Sequence, residues 1–504
     1  MDKTSMVWLP YTQNAVSASL AGLVEVIHDD RLQSTTGYSD PRRKKTGKGT
    51  TKRIRTVEGS CWPCKKRRIK CDLTKPSCSR CSMVGATCNY DTRLLKWSVR
   101  PTGTAPLSYQ AISREEQLAA SLAVYEKRAL DYFHRRFWPL MGNSSKLCAP
   151  PTFVALEHRV VLLAACVLAE SHRYLQDGRN SQRNLYLKRL DCLTAVREEL
   201  DFCCVDKNGP LLILLFAVLL LYFTDGYLEC TRDFASTNSH HAGVMAIIER
   251  LGGITSVMNS GSDSLHMLLS NFASTDLTTA MLRGTTPALP PQFWESVEKG
   301  PVWWGKDPFG KSSVAAVFKE MSTMMLWREN LLNRSETPPI DQIRIFEDSL
   351  RPVYAQFRPL DCQDAEIMHG THDPEDPDMA ACYTFTRALQ HTALIFLYRA
   401  VCNLPTSHQL VQQHVMACID CIFGVERPSQ VLNCALFPLC IAGAHVTSTK
   451  HQRTVLEILN VIYTDMRFAS VQSIRSALEA VWEREVDGLP WVEMFSGLEN
   501  TLVL

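Results

Sequence analysis

From Ser113 onward, apolar residues recur at helical spacing for most of the chain. SREEQLAASLAVYEKRALDYFHRRFW sets Leu118, Leu122, Tyr125, Ala129 and Tyr132 on one stripe, and Ser113 followed by Glu116 has the form of a capping box. Further helices are predicted around residues 156–175, 180–201, 210–224, 240–251, 378–403, 407–423, 434–445, 451–465 and 470–487. Pro210 and Gly252-Gly253 stand where helix start and stop residues belong. Alternating strand patterns are scarce, so the expected fold class is mainly α. The period is weakest from about 260 to 375, where Pro287, Pro290, Pro291, Pro338, Pro339 and the acidic HDPEDPD suggest long loops. The longest apolar run, Leu211 to Phe223, has 13 residues, short of the roughly 20 a membrane span needs. It reads as a core helix, and no membrane partner is expected.

Before Ser113 the pattern changes. Residues 1–40 are polar and mixed, with one short apolar stretch, VSASLAGLVEVI, of the kind that forms a frayed helix. Residues 41–56 (PRRKKTGKGTTKRIRT) have no apolar periodicity and are expected to be a disordered basic arm, completing a first segment of 1–56. A cysteine-rich module follows at 57–92, then a linker at 93–112 punctuated by Pro101, Gly103 and Pro106, and a helical domain at 113–504. At 504 residues and 45% hydrophobic, the chain can bury a large core.

Charge sharpens this division. Residues 41–100 hold 18 Lys and Arg against three acidic residues, a net +15, whereas residues 101–504 come to −10. A concentrated basic block beside an acidic body is the footprint of a polyanion-binding segment, most often nucleic acid. The chain has 19 cysteines and opens with MDKTSMVWLP, which lacks a basic-then-apolar leader. Its thiols are therefore expected in a reducing compartment, free or bound to metal.

Six of those cysteines, Cys61, Cys64, Cys71, Cys78, Cys81 and Cys88, form C-x2-C-x6-C-x6-C-x2-C-x6-C, one unit written twice. A C-x2-C turn aims two sulfurs at one point, so each unit can converge on a metal ion. One tetrahedral zinc would strand two cysteines; two zincs require eight ligand positions, which six thiolates supply if two of them bridge. No position is left for water, so the site reads as structural, with no catalytic residues.

This spacing is similar to the fungal binuclear zinc cluster, or Zn2Cys6, DNA-binding domain. The likeness is carried by the six cysteines, KKRRIK before the third, Asp72 after it, and KPSCSRC with Pro76 between the halves. It implies that Cys61 and Cys78 bridge two Zn2+ ions, with Cys64 and Cys71 completing one site and Cys81 and Cys88 the other. It also implies a nuclear, sequence-specific RNA polymerase II transcription regulator of a metabolic or biosynthetic gene set, with CGG-type triplets as DNA sites and the transcription machinery or co-regulators as partners.

The two halves differ in charge. Lys65, Lys66, Arg67, Arg68, Ile69 and Lys70 lie between Cys64 and Cys71, whereas Ser82, Met83, Val84, Gly85, Ala86 and Thr87 lie between Cys81 and Cys88. Residues 61–88 carry a net +6, beyond what neutralising a dianionic cluster of six thiolates and two Zn2+ requires. The first half is therefore expected to enter the major groove of double-stranded DNA. Arg68 occupies the family's base-reading lysine position, with Arg67 beside it, and an arginine can pair bidentately with guanine. Lys65, Lys66 and Lys70 are assigned to phosphates. Arg42, Arg43, Lys44 and Lys45 resemble a nuclear import signal.

Beyond the cluster, EKRALDYFHRRFWPLM, HHAGVMAIIERLGG and the segment from LFPLCIAGAHV to DGLPW resemble the fungus-specific regulatory domain of such activators. That likeness implies an all-helical domain that restrains or deploys activation. Residues 89–112 carry no heptads, so a dimer linker there is missing or displaced and a homodimer is left open; the stripe from Leu118 to Tyr132 has coiled-coil spacing but is widened by Leu130, Phe133 and Phe137, which favours packing on its own domain. Cys418 and Cys421 read as core residues, His240-His241 as part of a helix start, and Trp303-Trp304 as a loop anchor or a pocket wall. A thiol-rich metal buffer would not explain basic residues in one half alone, and an enzyme with a DNA tether lacks a catalytic constellation: G-x-S-x-G, P-loop, G-x-G-x-x-G and H-E-x-x-H are absent.

Overall fold

A computed structural model describes residues 60–67, 69–88, 114–142, 148–177, 182–205, 211–229, 235–305, 313–352, 378–425, 429–484 and 487–496. Two units divide the chain: Thr35–Ile112, and Met1–Ser34 with Ser113–Leu504. Among the described residues the regular structure is helical throughout, as the apolar spacing predicts. The arm at 41–56, the linker at 93–112 and Ser113 lie outside the described residues, as does the stretch at residues 1–40.

In the larger unit the first helical stripe is broken. Helix Arg114–Ser121 ends, Ala123 turns extended, and a second helix runs Val124–Tyr132. Glu126 makes the break: its Oε2 accepts the Ala123 N–H at 2.8 Å, the reciprocal half of a capping box, while Arg159 pairs with its other oxygen. Ala129, Leu130, Phe133 and Phe137 are buried in their own domain and Leu122 and Tyr132 pack partly against its core, whereas Tyr125 is exposed.

The core begins with Leu211–Phe223, whose apolar side chains are buried on nearly every side. It packs on helices Arg159–Asp177 and Ala235–Arg250. It is the one helix among the described residues that, with its extension to Glu229, has the length and hydropathy of a membrane span, and 89% of that stretch is buried inside the domain. A second group packs helix Asp378–Phe396 on Gln409–Phe423, Leu436–Ala444 and Val314–Arg334. Helix Ala469–Trp482 returns to the turn Thr224–Glu229 and joins the late helices of this unit to its early ones. Phe468 is the seal: its ring lies 5.8 Å from Phe137, 5.2 Å from Tyr227 and 5.6 Å from His172.

The middle of the chain departs from the expectation of long loops. Helices Asp263–Arg283, Phe293–Lys299, Val314–Arg334 and Ile340–Ser349 occupy residues 260–350. Asp263–Arg283 escapes a periodicity reading because it is buried almost all round, including Ser270, Asn271, Thr275 and Thr278. These polar side chains bond within the helix, Ser270 Oγ to the His266 carbonyl at 2.7 Å and Asn271 Nδ2 to that of Met267 at 2.9 Å. Its ends follow ordinary rules. Ser262 Oγ accepts the Leu265 N–H at the start, and Gly284 terminates it at φ +67°, a left-handed turn that glycine adopts without strain.

Arg399 is the most deeply buried cation of the described residues, at 1% exposure. One guanidinium nitrogen donates to the Leu404 carbonyl and another to that of Leu489 at 2.7 Å, tying the end of one helix to the approach of Trp491. Arg399→Met keeps the volume but leaves two carbonyls without a donor. It is expected to cost about 2–5 kcal/mol, read as a fall of the full chain's urea midpoint, with Arg399→Lys losing less.

Candidate metal centre and nucleic-acid interface

Each half of the small unit is built alike. Helix α1, Trp62–Lys66, follows Cys61, and helix α2, Ser79–Ser82, follows Cys78. The Ile69 N–H donates to the Cys64 carbonyl at 3.1 Å, and at the equivalent place in the second half the Ala86 N–H donates to that of Cys81 at 3.0 Å. In the second half Gly85, at φ +65°, supplies the left-handed turn that brings Cys88 back. Cys88 Sγ then accepts the Cys78 N–H at 3.1 Å.

These turns gather six sulfurs. Cys61, Cys64, Cys71 and Cys78 form one quartet and Cys61, Cys78, Cys81 and Cys88 a second, all sulfurs within 4.8 Å of one another in each. Cys61 and Cys78 belong to both. The Cys61–Cys78 separation is 3.7 Å, Cys64–Cys78 3.6 Å, Cys61–Cys81 3.6 Å and Cys61–Cys71 3.8 Å. A tetrahedron with zinc–sulfur bonds of ~2.3 Å has edges of about 3.8 Å, so this donor set fits zinc. None of the six is in a disulfide. Cys64 and Cys81, from different quartets, are also 3.8 Å apart, which makes the centre one compact body of sulfur.

Burial has an electrostatic consequence. It pushes the Cys61 thiol up to about 12 and raises Cys78 and Cys81 as well. Burial also opposes ionisation at Cys71 and Cys88, but N–H donors outweigh it there, the Cys61 and Leu73 amides for Cys71 and the Cys78 amide for Cys88, bringing the two to about 7 and about 6. Three sulfurs therefore stay protonated until a dication offsets their charge.

Asp72 and Arg67 brace the cluster in ways that spacing alone does not reveal. Asp72 Oδ2 accepts from Ser79 Oγ, from the Ser79 N–H at 3.1 Å and from Thr74 Oγ1 at 3.0 Å, closing the loop between the halves onto the start of α2. The Ser79 hydroxyl and amide hold its carboxyl down at about 2. Arg67 Nη2 donates to Cys81 Sγ at 3.2 Å and its Nε to the Pro63 carbonyl at 3.2 Å, joining one half to the other.

Of the other basic residues, Lys66 and Lys70 are exposed, Lys65 lies within α1, and Arg68 lies outside the described residues. The corresponding loop of the second half exposes Met83 and Val84. Elsewhere, Cys418 and Cys421 are buried free thiols, with Cys418 raised to about 12 by burial, as core residues should be. His240 and His241 sit inside helix Ala235–Arg250 and have carboxylate neighbours that the sequence reading missed. His240 Nε2 lies 3.4 Å from Asp225 and His241 Nε2 lies 2.8 Å from Asp276, both far away along the chain.

Residues 59–97 match the fungal Zn(2)-Cys(6) binuclear cluster domain, and residues 128–503 match the fungal specific transcription factor domain, in the same order as in the sequence reading. No curated protein and no solved structure matches the chain. Binuclear cluster domains bind two zinc ions and DNA, and the factors that carry them act with the transcription machinery, are generally nuclear and are not enzymes. With the second match spanning well over half of its length, the chain belongs to the fungal specific transcription factor family and is a zinc-cluster transcription regulator.

Proposed function

We propose that this regulator binds double-stranded DNA at CGG-type triplets and controls a metabolic or biosynthetic gene set. In this reading Cys61 and Cys78 bridge the two zinc ions, Cys64 and Cys71 complete one site, and Cys81 and Cys88 complete the other. Zinc supplies the cross-links that hold α1 against the second half. The observation that carries the reading is the asymmetry of the cluster: the loop after Cys64 has five cations and the loop after Cys81 has none. Lys65, Lys66 and Lys70 meet phosphates and set register, whereas Arg68 reads guanine. Arg67 divides its role, because its guanidinium also serves the Cys81 sulfur. The segments 57–92, 93–112 and 113–504 act as reader, linker and regulatory body.

Arg68→Ala is expected to cost about 1–3 kcal/mol at a CGG site, weakening binding there roughly 10- to 100-fold and flattening the preference over a scrambled triplet. Lys66→Ala should weaken both sites alike and reduce the salt dependence by about one counterion. Gel shifts across a salt series measure both. Undiminished triplet preference in Arg68→Ala would remove the base-reading assignment.

A further inference from the structure

The larger unit contains a cavity of about 100 Å³ whose lining comes from the beginning, middle and end of its chain. Trp303, Trp304, Phe385, Phe437 and Phe468 give it aromatic walls, and no lining residue is charged. Four polar side chains interrupt the apolar surface: Asn271, Ser274, Thr278 and Asn433. Each already donates a hydrogen bond, Thr278 Oγ1 to the Thr275 carbonyl at 3.3 Å. Asn271 Nδ2 donates to the Met267 carbonyl at 2.9 Å, Asn433 Nδ2 to Asp465 at 2.9 Å, and Ser274 Oγ to the Asn271 carbonyl at 2.8 Å. The side-chain carbonyl oxygens of Asn271 and Asn433 accept nothing from the described residues. The wall therefore offers acceptors to a guest, and Trp304 adds an indole N–H that is buried without an acceptor.

We propose that this cavity binds a small, uncharged, aromatic molecule carrying one hydrogen-bond donor, of the phenol type. Size, wall chemistry and polarity each restrict the choice. An apolar protein cavity of ~150 Å³ accepts benzene, so about 100 Å³ suits a single ring with slight adjustment of the walls. A charged ligand would lose its hydration with no counter-charge in return. A ring lacking a donor would leave the asparagine oxygens without a partner, whereas a phenolic O–H supplies one. Phe468 and Tyr227, which join the late helices of this unit to its early ones, also line the cavity, so a bound ring stabilises that junction.

The test is thermal unfolding of the full chain, with zinc bound, in rising concentrations of phenol. Phenol is expected to raise Tm saturably by about 2 °C or more, toluene by less, and benzoate not at all. Ser274→Leu fills the cavity from helix Asp263–Arg283 and should abolish the rise; Leu140→Phe fills it from another helix and should do the same if the first variant fails to fold. No saturable rise with phenol, a rise equally large with benzoate, or a rise that persists in a folded filling variant each overturns the proposal. DNA binding is not the readout, so failure here leaves the triplet-recognition reading standing, and the reverse holds as well.

Discussion

Cys78→Ser is expected to empty both metal positions and reduce DNA binding at least 100-fold, leaving the melting of the helical domain unchanged. The reason lies in what holds the small unit together. Among its described residues the buried side chains are Cys61, Cys64, Cys71, Cys78, Cys81 and one serine, with only Ile69, Ala86 and Cys88 packed partly against them. That is far too little hydrocarbon to offset the entropy of ordering a loop-rich segment. Structural zinc supplies about 10–16 kcal/mol in small metal domains, so metal binding and folding are one event here. Cys78 belongs to both sulfur quartets, whereas Cys88 belongs to one. Cys88→Ser should therefore retain more metal than Cys78→Ser. Zinc content by atomic absorption, gel shifts and the thermal transition of the full chain measure the three parts. Equal zinc loss from the two variants would sink the bridging assignment, and a chelator that leaves DNA affinity intact would sink the zinc-dependent interface.

The sequence was most legible where chemistry is tied to spacing. The repeat of C-x2-C-x6-C at an offset of 17 residues reappears as matched turns, from Ile69 to Cys64 and from Ala86 to Cys81. The helical class and most helix positions were legible for a related reason, because amphipathic stripes repeat. Legibility failed where burial is complete: Asp263–Arg283 has no polar face to mark its period. It failed again at three π-helical turns, Phe133–Phe137, Thr224–Glu229 and Leu397–Val401. Each shifts the stripe by part of a turn, and each carries a residue that ties distant parts together, respectively Phe137, Tyr227 and Arg399. Spacing could not show Arg67 resting on Cys81 either, because that contact joins two copies of the repeat and breaks their equivalence.

Lowering the pH from 7 to 5 is expected to destabilise the helical domain by several kcal/mol, through histidines that fold only as neutral rings. Burial holds His172 and His240 down at about 4 and His391 and His445 at about 3. Their hydrogen bonds show why a second proton has no place. His172 Nε2 faces the Met466 carbonyl at 2.7 Å and must carry the proton, which leaves Nδ1 to accept from Tyr132 Oη at 3.1 Å. His391 and His414 meet Nδ1 to Nδ1 at 2.8 Å, an arrangement that needs one donor and one acceptor. His445 Nδ1 donates to the Ile441 carbonyl while Arg399 adds positive potential nearby. An unfolded histidine titrates near 6.5, so below that pH the unfolded chain takes up protons that the folded one refuses. The stability these rings contribute is complete above about 6.5 and is lost as the pH falls through the folded values. Within that window each ring costs about 1.4 kcal/mol per pH unit. Urea midpoints of the full chain at pH 7, 6 and 5 give the slope, and His391→Gln should make it shallower by one ring's share. A midpoint that does not move between pH 7 and 5 would mean that these rings accept protons in place, and the junction of early and late helices through His172 and Met466 would have to be held by other groups.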